Sequence, residues 1–199
     1  MKGSNFLSTK GTADRIIEAA LHLVSEKGYT AATTKAIAEL AGVNEVTIFR
    51  HFGSKQGILK AIIEKFSYYP LMQQELTTNV TWDLESDLLN FSLKNFNFLM
   101  SIKDFVMIGF KEGLQFPEIN EEIASIPLLI KNELVHYLKE MHQRGKIKEI
   151  NFEAAALSLI AMNFGHFMSR ARLGTIVSEM PTEELLQTSI AIFSRGLVS

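Results

Sequence analysis

Residues 44–52 combine hydrogen-bonding side chains with an apolar pair at helical spacing. Ile48 and Phe52 are four residues apart and predict the buried face of a short helix. Thr47, Arg50 and His51 then lie outward or beside that face and offer hydroxyl, guanidinium and imidazole groups. A short helix with this outer surface fits the major groove of DNA, which is about 12 Å wide. These residues alone leave open a helical hairpin with an exposed mixed face.

The sequence before this segment predicts the element that positions it. Residues 33–41 and 45–51 are interpreted as two helices joined by a short turn, the pattern of a helix-turn-helix. Gly42 ends the first helix because glycine adopts a positive φ at no steric cost. Asn44 is expected to cap the second helix. The residues predicted to pack inside this motif are Ile37, Leu40, Ala41, Val43, Ile48 and Phe52.

The residue pattern of this region is more specific than its helix signals. The pieces that carry it are Thr33-Thr34, Ile37-Ala38, Ala41-Gly42-Val43, Thr47-Ile48, His51-Phe52 and Lys55. With these pieces, residues 12–60 resemble the DNA-binding region of the TetR/AcrR family of bacterial transcriptional regulators. The resemblance implies an all-α protein with a DNA-binding domain over residues 1–60. It also implies a helical effector-binding and dimerisation domain over residues 61–199.

The resemblance implies roles for individual side chains. Lys55, at the start of the fourth helix, is expected to bind a phosphate, as is Thr33 or Thr34. The first residues of the recognition helix resemble base-reading positions, and His51 resembles a contact to the DNA backbone. The full set of expected DNA contacts is Thr33, Thr34, Lys35, Asn44, Glu45, Val46, Thr47, Phe49, Arg50, His51 and Lys55.

Three positions in the recognition helix limit this analogy. Phe49 stands where the family usually has tyrosine, so a phenol hydrogen bond to phosphate is missing. Val46 stands where glycine or alanine is common, and its branched side chain is suited to a thymine methyl group. Glu45 can accept a hydrogen bond from cytosine, and it can equally stabilise the positive end of its own helix. Both interpretations of Glu45 remain open.

Composition and charge limit the other function classes. The chain has 199 residues, no cysteine and a net charge of −2, which excludes disulfides and thiolate chemistry. Residues 1–60 carry a net charge of +3 and residues 61–199 a net charge of −5, so only the N-terminal part is expected to meet a polyanion. We recognise no signal peptide or membrane span and expect a cytoplasmic protein.

Apolar residues recur at helical spacing along the whole chain, which predicts about nine helices and no sheet. The first helix is predicted to begin at Thr12 and to end at Gly28, and the fourth to be capped by Ser54 and to kink or end at Pro70. Pro127 is predicted to kink or split one of the later helices. Those later helices are expected near residues 82–101, 103–113, 118–144, 151–173 and 181–197.

The second domain is rich in aromatic and methionine side chains, with eleven of the fourteen phenylalanines. Such residues form a core in most helical proteins, whereas the family resemblance implies a cavity for a small hydrophobic or amphipathic effector. The candidate lining residues are Phe66, Trp82, Asn95, Phe98, Met100, Phe105, Met107, Phe110, Asn163, Phe164, His166 and Phe167. No cofactor is expected.

The last two helices are expected to pair with their copies in a homodimer. Small residues follow one stripe of the 151–173 helix and permit close helix packing, and the final helix offers apolar residues. A neighbouring helix of the same chain is the alternative occupant of that stripe. The predicted interface residues are Ala154, Ser158, Ala161, Gly165, Leu186, Ile190, Phe193 and Leu197.

Enzymatic motifs are not recognised in the sequence. Glu133 and His136 have the spacing of a helical metal site, but a di-iron bundle needs two such pairs and more glutamates. The resulting hypothesis is a repressor that binds a palindromic operator as a homodimer and is released by its effector. Two alternatives stay open: a DNA-binding regulator with a filled core that a protein partner controls, and a helical small-molecule-binding protein.

Overall fold

The computed structural model describes residues 11–65 and 69–198, with side chains from residue 72 in the second range. Ten α-helices and no strand occur in these two ranges. The helices are α1 Thr12–Ala31, α2 Thr34–Ala41, α3 Glu45–Phe52, α4 Lys55–Lys65, α5 Tyr69–Thr77, α6 Leu84–Ser101, α7 Lys103–Gly113, α8 Pro117–Gln143, α9 Phe152–Leu173 and α10 Thr182–Leu197. The all-α prediction is confirmed.

The helices form two compact units. The first unit combines residues 11–65 with Asp104–Ala124, and the second contains residues 69–103 and 125–198. Most of α7 and the first turns of α8 therefore pack with the N-terminal helices, although the sequence analysis assigned residues 61–199 to one domain.

The core of the first unit is aliphatic. α1 packs against α2 and α4, and α3 packs against α2 and α4. Glycine interrupts α1 near its end, because Gly28 has φ 80° and ψ 166°. Each of the larger core side chains is at most 6% exposed: Ile16, Ile17, Leu23, Ile37, Ile48, Ile58 and Ile62. Ile37 of α2 and Ile48 of α3 belong to this cluster, so α2 and α3 share one core.

α6 contacts α5, α9 and α10 in the core of the second unit. A buried carboxylate organises the entry to α6. Asp87 accepts hydrogen bonds from the Thr81 and Trp82 amides, at 2.8 and 3.0 Å, and from the Tyr137 hydroxyl at 2.9 Å. Asp87 is only 3% exposed, so these donors stabilise its buried charge.

The structure decides three details that the sequence interpretation left open or placed wrongly. Residues 69–77 form a separate helix, with Pro70 in its first turn, where a missing amide costs no intrahelical hydrogen bond. α8 continues through Pro127 and is not split. Leu40 was expected in the core, but it is 49% exposed because Ala41 and Ile37 occupy the buried side of α2.

Candidate nucleic-acid interface

The turn between α2 and α3 has the geometry that its residues predict. Gly42 adopts the left-handed conformation, with φ 66° and ψ 39°, and its amide bonds to the carbonyls at the end of α2. Asn44 caps α3, because its Oδ1 accepts from the Val46 amide at 3.0 Å. Thr33 caps α2 by accepting from the Ala36 amide at 3.1 Å. The caps satisfy backbone donors at both helix starts.

α3 has one buried and one exposed face. Ile48 is fully buried, whereas Val46 is 71% exposed and Phe49 is 49% exposed. Arg50 and His51 are also exposed, near the C-terminal end of the helix. The exposed surface of α3 thus consists of two apolar side chains beside two nitrogen donors. This surface is suited to methyl groups, base edges and phosphates.

Glu45 is held by a neighbour in α2. The Thr34 hydroxyl donates to its Oε1 at 2.6 Å, and the carboxylate lies in the first turn of α3. The bond ties the start of α3 to the start of α2. One carboxylate oxygen is thereby used inside the protein, which favours the helix-stabilising role that the sequence left open.

Lys55 lies inward at the start of α4. Its ammonium donates to the Tyr29 carbonyl and lies 3.9 Å from the centre of the Tyr29 ring. Burial lowers the pKa of Lys55 below its ordinary value, and the carboxylates of Glu112 and Glu118 act in the opposite direction. The amine that was expected to bind phosphate therefore has a protein partner in this structure.

Ser54 and Gly57 shape the start of α4, and only the role of Ser54 is predicted from the sequence. The Ser54 hydroxyl accepts from the Gly57 amide at 3.0 Å, which confirms the predicted cap. A Cβ on Gly57 would lie 1.8 Å from the Phe52 carbonyl oxygen, so no other residue fits there without a shift. Gly57 was overlooked because a glycine inside a helical pattern normally signals weakness rather than close packing.

The first unit also contains a small apolar cavity of about 30 Å³. Side chains of α1, α4, α7 and α8 line it, including Phe105. Glu112 is the lining residue with a carboxylate; it is 9% exposed and accepts from the Tyr29 amide at 2.7 Å. Tyr29 packs edge-on against Phe116, with ring centroids 5.0 Å apart. Sequence reasoning missed Glu112, since nothing near it in the chain marks it as buried.

The predicted effector residues do not all fall in one unit. Phe105, Met107 and the largely exposed Phe110 belong to the first unit. Phe66 lies outside the described residues. The remaining candidates belong to the second unit: Trp82, Asn95, Phe98, Met100, Asn163, Phe164, His166 and Phe167.

Two of the second-unit candidates, Asn163 and His166 of α9, contact residues of α6. Asn163 is buried and donates to the Ser92 hydroxyl at 2.9 Å, and its carbonyl oxygen has no partner among the described residues. His166 stacks on Phe96 with ring centroids 4.9 Å apart. Burial, and then the charge of Arg170, lower the pKa of His166. The result is a neutral polar group beside aromatic rings.

Trp82 lies at the connection between α5 and α6. It stacks on Tyr137 at 6.3 Å, and the Arg144 guanidinium lies 3.6 Å from its ring centre. Its φ of 62° is unusual for a bulky residue, and the hydrogen bond from its amide to Asp87 fixes this conformation.

The predicted dimer residues of α9 and those of α10 differ in their exposure. In α9, Ala154, Ser158, Ala161 and Gly165 are all exposed, as expected for a face that none of the described residues covers. In α10 the prediction needs correction. Leu186, Ile190 and Leu197 are at most 8% exposed and belong to their own chain's core, with Phe193 packed against it. α10 packs against α6 in this unit.

A different face of α10 is open. Thr188, Ile192 and Gly196 are exposed and share one side of the helix with the half-buried Leu185. Ile192 is 67% exposed, and a Cβ on Gly196 would meet nothing within 4 Å.

Comparison with known proteins shows which family this chain belongs to. Residues 16–62 match the family described as "Bacterial regulatory proteins, tetR family". The HTH-type transcriptional regulator YvkB of Bacillus subtilis is 37% identical over 186 residues, which cover 94% of this chain and 97% of YvkB. The chain belongs to the TetR family.

Solved structures of this TetR-family fold agree over almost the whole chain. Salmonella enterica GusR matches with a TM-score of 0.72 and 23% identity, over 92% of this chain and 95% of GusR. The regulator FadR from Bacillus subtilis, solved in complex with stearoyl-CoA, matches with a TM-score of 0.67 and 25% identity over 92% and 98%. The protein is thus a TetR-family transcriptional regulator, and α2 and α3 form its helix-turn-helix.

Neither a membrane-spanning helix nor a metal site occurs in the described ranges. The helices there are too short or too polar to span a bilayer. No three acidic or histidine side chains in those ranges come together as a metal site, so Glu133 and His136 have no additional ligand there.

Proposed function

We propose that this TetR-family protein represses transcription by binding a palindromic operator as a homodimer, and that a small apolar effector releases it. The observation that carries the DNA-binding part is the exposed face of α3, on which Val46, Phe49, Arg50 and His51 are all exposed. Apolar groups of this kind contact thymine methyls, and nitrogen donors contact phosphates or guanine.

Arg50 and Lys35 are the best candidates for phosphate contacts. Both are exposed, whereas the ammonium of Lys55 is bonded to the Tyr29 carbonyl. Val46 and Thr47 are the best candidates for reading bases, since Glu45 is partly occupied by Thr34. Thr33 and Asn44 are used as caps, and their remaining hydrogen-bonding capacity is available to the DNA backbone.

The homodimer is supported by two open helix faces. The exposed side of α9 carries Ala154, Ser158, Ala161 and Gly165, and Leu157 beside them is 50% exposed. The Ser158 hydroxyl already donates to the Ala154 carbonyl at 2.8 Å, so it can be buried without an unsatisfied donor. With the Ile192 face of α10, these surfaces suit a symmetric four-helix interface. A symmetric dimer places its two recognition helices about 34–36 Å apart on a palindrome.

The effector is proposed to bind among the aromatic side chains of the second unit. Asn163, with its unpartnered buried oxygen, and the neutral imidazole of His166 are the groups that would orient it. The complex of FadR with stearoyl-CoA points to acyl-CoA thioesters as the first compounds to test. Release follows if the effector prefers a state in which the recognition helices are wrongly spaced.

The decisive experiment measures DNA affinity as a function of salt. Fluorescence anisotropy with a labelled duplex should give a linear dependence of log K on log salt, and Arg50→Ala should reduce the magnitude of its slope by about 0.9 for one lost phosphate contact. Lys111→Ala is the matched control, because Lys111 is exposed but lies on α7. An identical slope in wild type and Arg50→Ala would remove Arg50 from the phosphate contacts, and no binding at low salt would contradict the proposed function.

A further inference from the structure

The Glu112–Tyr29–Lys55 chain of contacts connects α7 to the start of α4. Glu112 accepts from the Tyr29 amide at 2.7 Å, and the carbonyl of the same Tyr29 accepts from the Lys55 ammonium. All three side chains belong to the first unit, and each is at least partly buried. One acidic residue of α7 thus holds the amide of Tyr29, and the carbonyl of Tyr29 binds the lysine.

The location of Lys55 makes this contact relevant to DNA. Lys55 is the first residue of α4, which follows the recognition helix after only Gly53 and Ser54. The start of a helix attracts anions through its free amides and its dipole. A lysine amine that points outward from this position adds a full positive charge to that site, whereas an amine bonded to Tyr29 adds much less.

We propose that Glu112 is a positioning residue that keeps the Lys55 ammonium on the Tyr29 carbonyl and away from DNA phosphates. Phosphate binding by Lys55 then requires that its contacts with Tyr29 and its attraction to Glu112 are broken. A displacement of α7 changes the charge available to DNA with no change in α2 or α3. This inference rests on the proposed DNA-binding function and adds to it the control of one phosphate contact.

The geometry gives Glu112 two separable effects. Its carboxylate orients the Tyr29 peptide through a hydrogen bond, and its negative charge attracts Lys55. Glu112→Gln keeps an acceptor for the Tyr29 amide and removes the charge. Lys55→Met keeps most of the side-chain length over the Tyr29 ring and removes the ammonium. The two substitutions therefore test the electrostatic link with little loss of packing.

The experiment is a double-mutant cycle on affinity for a labelled random-sequence duplex, because phosphate contacts do not depend on sequence. Glu112→Gln should tighten binding about two- to fivefold, the range of one partly screened ion pair. The same substitution in the Lys55→Met background should leave affinity unchanged. Glu121→Gln is the matched control, because it removes the same charge from an exposed position of the first unit.

A second measurement does not use DNA. Labelling of the free protein with an amine-reactive reagent should modify Lys55 more slowly than the exposed Lys60 of the same helix. Glu112→Gln should raise the rate at Lys55 and leave the rate at Lys60 unchanged.

The outcomes separate this inference from the proposed function. Equal tightening by Glu112→Gln with and without the lysine would show a direct effect of Glu112 on DNA and overturn the inference. Equal affinities of Glu112→Gln and Glu121→Gln would overturn it as well, and so would equal labelling of Lys55 and Lys60. Failure of the wild-type protein to bind any duplex would instead contradict the proposed function on which it rests.

Discussion

Ile192 gives the most direct mutational test of the proposed dimer. The side chain is 67% exposed in the single chain, and full burial of an isoleucine side chain is worth about 1.5–3 kcal/mol. A symmetric interface buries this residue twice. Because alanine retains only the β-carbon, Ile192→Ala should cost the dimer about 2–3 kcal/mol, which raises its dissociation constant roughly 30- to 150-fold.

Sedimentation velocity over a dilution series measures this change. Leu114→Ala is the control, since Leu114 is 88% exposed but lies in the first unit, between α7 and α8. Ile192→Ala should dissociate at concentrations where wild type and Leu114→Ala remain dimeric. Equal dissociation constants for the two variants would refute the assignment of this α10 face to the interface.

Two further predictions concern the supports of the helices. Asn44→Ala removes the cap of α3 and should lower the free energy of unfolding, measured by urea titration, by about 1 kcal/mol. Asn44→Asp keeps a capping oxygen and should stay close to wild type. An unchanged urea midpoint for Asn44→Ala would mean that the cap contributes nothing to stability. Burial and Arg170 lower the pKa of His166 in the folded protein. Its contribution to stability is therefore present above its unfolded pKa of about 6.5 and is lost as the pH falls below that value and through the lower folded pKa. His166→Phe should therefore make the fall in melting temperature on acidification shallower, whereas His136→Phe, at an exposed position, should keep the wild-type fall. Equal slopes for His166→Phe and wild type would contradict the role of His166.

The sequence predicts the helix-turn-helix well because its signals are local. Asn44 and Ser54 cap the helices that follow them, and Gly42 has the positive φ that its position predicts. Each of these features depends on residues only a few positions apart. The number of helices is predicted less well, since the sequence does not distinguish a bend at Pro70 from the start of a new helix.

Contacts between distant residues could not be predicted in the same way. Lys55 was expected to point to DNA, but its partner Tyr29 is 26 residues away in the chain. Glu112 bonds to Tyr29 across 83 residues, and the sequence around it gives no sign of burial.

The final helix shows a second limit of sequence patterns. α10 carries apolar residues on two sides, with Ile190 fully buried and Ile192 largely exposed. Periodicity identifies both sides but does not indicate which one packs on α6. The side of α10 that was predicted to form the dimer interface is instead packed in the core of its own chain.

The central claim is that the protein reads a two-fold symmetric DNA site with a pair of α3 helices. Selection of bound duplexes from a random-sequence pool tests it most directly, with the wild-type protein and Ile192→Ala compared side by side. We predict an enriched palindrome whose half-sites are about one helical turn, or 34–36 Å, apart, and weaker enrichment with the dimer variant. Enrichment of a single asymmetric half-site, or of no sequence, would contradict this account.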